Sequence, residues 1–211
     1  MPKQFIIAVM SRWTFWLRAE SLSLLLNNGV HHLYINVEQV RAFRTCSFFI
    51  SCEPPLILGG LKLNRSVLKF GGSSVSDFTK IKNIAEMLKT RVEQGEELIV
   101  VVSAMGKTTD QLMENVSTLT STPKDQELAL LLTTGEQQTV SYLSMVLNDI
   151  GVKAKAMTGY QAGIKTIGHH LKSKIAEINP DTFNQAFENN DVLVVAGFQG
   201  INDEFELTTL G

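Results

Sequence analysis

Cysteine is nearly missing from this chain. There are two, Cys46 and Cys52, and none in the 147 residues after residue 64. That longer part therefore owes nothing to disulfides or to an oxidising compartment. From sequence alone the pair stands open between a disulfide, a weak metal pair and two buried thiols. Long apolar runs are lacking too. Phe5–Met10 after Lys3 begins like a signal segment, but Arg12 interrupts it. No stretch reaches the roughly 18–20 uninterrupted apolar residues that span a bilayer. Strong charge of one sign is absent, the net being −2, which argues against a general nucleic-acid or membrane-surface binder. There is no internal repeat and no low-complexity tract.

Two further absences concern motifs. The four histidines come as adjacent pairs, His31-His32 and His169-His170. Neighbours in sequence cannot share one helix face or one strand face, so neither pair has zinc-ligand spacing. They read as surface or loop residues. Gly106-Lys107-Thr108 resembles the tail of a Walker A loop, but Val101 stands where its first glycine must be. The P-loop reading is rejected.

What is present is a globular composition, 44% hydrophobic and 19% charged, and it changes near residue 64. Residues 1–64 carry six Lys/Arg against three Asp/Glu, both tryptophans and both cysteines. Residues 65–211 carry thirteen Lys/Arg against eighteen Asp/Glu. The expected division is an atypical extension over 1–64 and a separate domain over 65–211. In the extension, Phe15 to Leu26 suits a helix, and Val30–Val40 and Phe48–Leu58 are strand-like. Pro54-Pro55 and Gly59-Gly60 break what precedes them.

From 65 onward the pattern is regular. Ser66–Phe70 reads as a buried strand that runs into Gly71-Gly72-Ser73-Ser74. Asp77 is an N-cap candidate, and Phe78, Ile81, Ile84, Ala85, Leu88 and Val92 recur at helical spacing. Gly95 stops that helix. Leu98–Val102 is a β-branched run suited to a strand covered on both faces. The unit is βαβ, hence parallel with a right-handed crossover. Leu128 to Leu147 is a long helical pattern, interrupted at Thr133–Gln138, where Gly135 implies close approach by another element or ligand. Strands follow at Val152–Met157, Ser173–Ile178 and Asp191–Ala196, with a helix from Pro180 to Glu188. Asn202 to Glu206 reads as an acidic turn. Alternating elements of this kind give an α/β fold with a mostly parallel sheet.

Candidate chemistry gathers where strands end in small or polar residues. Lys69 with Gly71-Gly72-Ser73 is a phosphate cradle in outline, free N–H groups and a mobile cation side by side. Ser103 to Asp110 puts hydroxyls at a second strand end, where open α/β sheets bind ligands. Glu136, judged by its place alone, is either a solvated helix carboxylate or an inward-facing one, and the general habit of helix carboxylates favours the solvated face.

Seven stretches in order carry a resemblance. They are Lys69–Val75, Val101–Gly106, Thr108-Thr109-Asp110, Gly135-Glu136-Gln137, Gly159–Ile164, Ala196–Gly200 and Thr208–Gly211. Over about 66–211 the chain resembles the aspartokinases of the amino-acid kinase family. The resemblance implies an αβα sandwich and ATP-dependent phosphorylation of the L-aspartate side-chain carboxylate, the first step towards lysine, threonine and methionine. It implies ATP with Mg2+, a cytoplasmic setting, no nucleic-acid or membrane partner, and a homo-oligomer for the complete enzyme. Lys69 would neutralise the moving phosphoryl group, and Phe70, Gly71, Gly72 and Ser73 would frame the phosphates. Thr109 and Glu136 would hold aspartate, Glu136 at its ammonium, with Ser103 and Phe198 lining the pocket. The family pattern continues past Thr208-Thr209-Leu210-Gly211 with Arg-Gly-Gly-Ser-Asp, a nucleotide-binding half and regulatory domains. The expectation is a fold incomplete at its C-terminus, with exposed strand edges and little activity alone. The alternatives are another amino-acid kinase, acting on glutamate or a nucleoside monophosphate, and a non-catalytic module or gene remnant.

Overall fold

The structure is a computed structural model that describes residues 64–211. The readings on the preceding segment, its helix, its strand-like runs, both cysteines and His31-His32, lie outside the described residues.

Strand β1 (Asn64–Phe70), helix α1 (Phe78–Glu93) and strand β2 (Glu96–Val102) form the expected βαβ unit, β1 and β2 parallel and in register from Asn64↔Glu96 to Phe70↔Val102. Asp77 starts α1 as anticipated, its carboxylate accepting from the Lys80 N–H at 2.9 Å. Ile81, Ile84, Ala85 and Leu88 then turn one apolar stripe inward. Full burial of side chains such as Ile81 and Leu88 contributes about 1.5–3 kcal/mol each. Strands β3 (Ala154–Met157) and β6 (Val192–Ala196) complete a sheet of order β1-β2-β6-β3, parallel throughout.

Both faces of this sheet are covered, which is why β2 and β6 are continuous aliphatic runs. On one face Leu68, Phe70, Val100 and Val194 meet Ile81 and Leu88 of α1, together with Val140, Leu143 and Leu147 of helix α3 (Asp125–Asp149). On the other, Ile99, Val101, Leu193 and Val195 meet Phe183 and Phe187 of helix α4 (Pro180–Phe187). Helices on both sides of a parallel sheet are the αβα sandwich.

Three elements depart from the sequence reading. Helix α3 runs unbroken through Thr133–Gln138. The cost of one interior glycine is small beside the packing of a helix of roughly 37 Å. Helix α2 (Thr108–Leu119) has no buried residue, so it lacks the strong apolar stripe that announces α1. The third departure is a second sheet of strands β5 (Lys174–Ile178), β4 (Ile164–Ile167), β7 (Gln199–Ile201) and β8 (Leu207–Thr209), in the order β5-β4-β7-β8. Only β5 among them is legible as a strand beforehand. The sheet is mixed: β4–β5 and β7–β8 are antiparallel and β4–β7 is parallel.

The first half of α3 reaches this second sheet. Gln126 Nε2 donates to Glu206 Oε1 at 2.6 Å, and Asp125 pairs with His169 at 2.9 Å. His170 pairs instead with Glu206 at 2.8 Å. The two adjacent histidines thus serve different carboxylates. Among the described residues no helix is long and apolar enough to cross a membrane.

Candidate active site

Because β1, β2, β6 and β3 are parallel, their C-terminal ends share one rim. The loops there are stitched together by backbone. The Ser103 N–H donates to Phe70 O at 3.1 Å, and the Gly197 N–H to Val102 O at 2.9 Å. Lys69, Ser103, Thr109, Glu136 and Phe198 all lie at or just beyond this rim.

Lys69 is the penultimate residue of β1. Leu68 and Phe70 pack toward α1, and Val67 packs toward α4. Strand alternation therefore sends the half-buried Lys69 to the α4 side. It makes no ion pair with any described residue. Phe70 is buried in the core at 7% exposure, so its side chain serves packing while its carbonyl holds Ser103. Gly71 O accepts from the N–H groups of Ser74 and Val75 at 2.9 and 3.3 Å, which curls the turn. Lys80 Nζ steadies it by donating to Ser73 O at 2.9 Å and to Ser76 Oγ at 2.8 Å. Among the described residues the N–H groups of Gly71, Gly72 and Ser73 have no acceptor. Free N–H groups beside a lysine and a helix start suit an anion.

The Gly72 carbonyl accepts from the Gly106 N–H at 3.0 Å. The glycine turn is thereby tied to the loop that follows β2. That same loop holds Glu136: the Ala104 N–H donates to Glu136 Oε1 at 3.0 Å. The approach of α3 that makes this possible depends on Gly135. A Cβ there would stand 2.9 Å from Ala104 Cβ and 3.6 Å from Thr108 Cγ2. The expectation of close contact at Gly135 is met. Thr109 lies half-buried in the first turn of α2 beside it, and Thr108 closes that turn by donating to Met105 O at 2.7 Å.

Glu136 itself corrects the sequence reading. It is not a solvated helix carboxylate; it is 3% exposed. Among the described residues its Oε2 has no partner. Burial pushes its pKa up to about 7, against the Ala104 N–H, which pulls it down. A carboxylate left half-satisfied in a dry place is costly unless something positive or proton-donating completes it. Position in a periodic pattern cannot reveal this. Helix α3 is buried on two sides, by the sheet and by the β2 loop, so its polar positions are not all solvent positions.

Phe198 carries the chain from the first sheet to the second. Its φ is +62°, an unusual value for a bulky residue. Beside it sits Gln199, fully buried and absent from the sequence-based list of site residues. Gln199 Nε2 donates to Thr133 O of α3 at 3.0 Å, and its Oε1 accepts from the Gly159 N–H at 3.4 Å. Only the polar residue inside Gly-Phe-Gln-Gly could have pointed to it.

Residues 64–211 match the amino acid kinase family. The chain belongs to that family. Among curated members it is 42% identical to aspartokinase 2 of Bacillus subtilis over 145 residues, and 44% identical to the aspartokinase of Thermus thermophilus over the same length. Each match takes in 69% of this chain but 36% of the relative, so the chain spans about a third of the length of the proteins it matches. Among solved structures, aspartate kinase from Synechocystis is 39% identical with a TM-score of 0.56, covering 69% of this chain and 24% of that one. Aspartokinase III of Escherichia coli in complex with aspartate and ADP has a TM-score of 0.58 at 18% identity, over 70% of this chain and 43% of that one. The last likeness concerns the fold alone. The family and the αβα architecture thus agree with what the seven stretches implied.

Proposed function

We propose that residues 64–211 form the aspartate- and phosphate-binding part of an aspartate kinase, which transfers the γ-phosphoryl group of ATP to the side-chain carboxylate of L-aspartate. The observation that carries this reading is one loop held by two opposite kinds of group. Residues 103–106 are tied at Gly106 to a turn with three free N–H groups, and at Ala104 to a buried carboxylate with an open oxygen. An amino acid bearing both an ammonium and a carboxylate fits across that loop. Its ammonium would complete Glu136 Oε2, and its side-chain carboxylate would face the phosphates.

The chemistry follows from charge. A carboxylate oxygen attacks the γ-phosphorus, the bond to the β,γ-bridging oxygen breaks, and its electron pair leaves with ADP. Two anions must meet, so the protein's task is alignment and charge compensation. Lys69 offsets negative charge on the transferred group, and Gly71, Gly72 and Ser73 donate backbone N–H groups to it. Ser103, Thr109 and Phe198 shape the amino-acid pocket. Among the described residues no group of three or more His, Cys, Asp or Glu side chains could hold a metal. Mg2+ would accompany ATP and supply charge compensation there; no described residue is assigned to hold it and no step is routed through it. A cytoplasmic place in amino-acid biosynthesis, and self-association, belong to the same proposal.

The test is a hybrid in which residues 64–211 replace the matching stretch of Bacillus subtilis aspartokinase 2. It is expected to form phosphoaspartate, trapped as the hydroxamate. Lys69→Ala in that hybrid should cut turnover by about 100- to 1,000-fold, the scale of one lost oxyanion donor. Near-normal turnover in the Lys69→Ala hybrid would refute the role.

A further inference from the structure

Three elements, two of them bearing site residues, arrive at the rim separately. Helix α3 brings Glu136, the turn after β6 brings Phe198, and the loop after β3 opens at Gly159. One side chain touches all three. Gln199 is 0% exposed, and both ends of its amide are used. Its nitrogen donates to Thr133 O at 3.0 Å, and its oxygen accepts from the Gly159 N–H at 3.4 Å. Thr133 lies three residues before Glu136, one helical turn away on the same side of α3. Phe198 is joined to Gln199 directly and holds a left-handed φ of +62°. Gly159 approaches so closely that a Cβ there would lie 2.6 Å from the Gln199 carbonyl oxygen.

We propose that Gln199 is a positioning residue for the substrate pocket: its amide fixes how deeply α3 sits against the Phe198 turn and the Gly159 loop, and thereby where Glu136 stands. The Thr133 carbonyl is inside a helix, where the hydrogen bond along the helix already employs it. A second donor at that oxygen adds little to the helix and much to the placement of its neighbour. Among the described residues the contact is also the one side-chain hydrogen bond from β7 to α3, and it lies at the crossover between the two sheets. An apolar side chain would fill the space; it would not set the distance. The inference rests on the proposed function for its substrate but not for its geometry.

The experiment uses the whole chain and two variants. Gln199→Met keeps length and shape and loses both hydrogen bonds. Gln199→Asn keeps the amide and withdraws it by one methylene, and serves where the methionine variant does not fold. Labelled glutamate lets the Glu136 carboxyl be titrated by NMR, alongside thermal unfolding and L-aspartate binding. A folded variant is expected to show the Glu136 midpoint displaced by about one unit or more, and L-aspartate affinity about tenfold weaker, as when an outer hydrogen bond behind a ligand group is removed. A Glu136 midpoint that stays where it is in the native chain, in either folded variant, overturns the proposal. Should the native chain not bind L-aspartate at all, the functional reading fails, while the titration still decides the role of Gln199.

Discussion

The two sheets of this molecule are built by different rules. The parallel sheet is an aliphatic slab: every residue of β6 and Leu98 to Val102 of β2 are buried, with α1 and α3 on one face and α4 on the other. The second sheet is short and mixed, and its interior is partly polar. Thr166 and Thr208 hydroxyls meet at 2.6 Å, and Ser173 Oγ donates to Thr208 Oγ1 at 3.0 Å. The first sheet supplies a rigid rim by burying area. In the proposed function the second supplies one wall of the amino-acid site, through hydrogen bonds and close glycine contacts. Area tolerates approximate fit, whereas hydrogen bonds fix distance, and a substrate pocket needs distance.

The largest effect should come from the slab. Phe183→Ala, at a side chain 1% exposed between α4 and the sheet, is expected to cost about 3–5 kcal/mol in denaturant unfolding. A loss under about 1 kcal/mol would mean the α4 face is not a core.

Glu136→Gln should act in the opposite direction. The folded pKa of about 7 stands above the ordinary 4.5. Between those values the native state keeps a proton that the unfolded state has lost, so stability falls as pH rises through the window and levels off above it. Removing the carboxylate should stabilise the chain by on the order of 3 kcal/mol above pH 7, with no gain below about pH 4. The same variant should lose L-aspartate binding. A variant that gains no stability at pH 8 would place Glu136 in a wetter setting than the rim provides.

How legible the chain is follows the same division. Aliphatic runs and 3.6-residue periodicity disclose β1, α1, β2, β6 and α4, because a slab buried on both faces needs them. Strands β4, β7 and β8 stay hidden. Gln199-Gly200-Ile201 and Leu207-Thr208-Thr209 are three residues each, too short to alternate, and their partners are hydroxyls and an amide rather than apolar side chains. In the site, Lys69 and the glycine turn are readable because their residue types announce anion chemistry. The burial of Glu136 and the bridging by Gln199 arise from tertiary approach at Gly135 and Gly159, which no local pattern encodes.

Smaller changes probe the second sheet. Thr208→Val leaves the Thr166 hydroxyl without its partner, while Ser173 Oγ keeps the Thr209 carbonyl at 2.9 Å, and should cost about 1–3 kcal/mol. Thr166→Val combined with it should cost less than the two single losses added together, since the pair is then removed whole. Full additivity would mean the hydroxyls do not act as one network. The smallest effect is expected at Phe205, 78% exposed with φ of +62°. Phe205→Gly should raise stability by roughly 0.5–1 kcal/mol by relieving a left-handed side chain, measured as a small rise in melting temperature.

The central claim is that a dry carboxylate behind the β2 loop waits for a substrate ammonium. Titrating the Glu136 carboxyl carbon by NMR with and without saturating L-aspartate tests it directly. The midpoint should lie near 7 in the free chain and fall below the ordinary carboxylate value when L-aspartate is bound. A midpoint indifferent to L-aspartate would contradict the account.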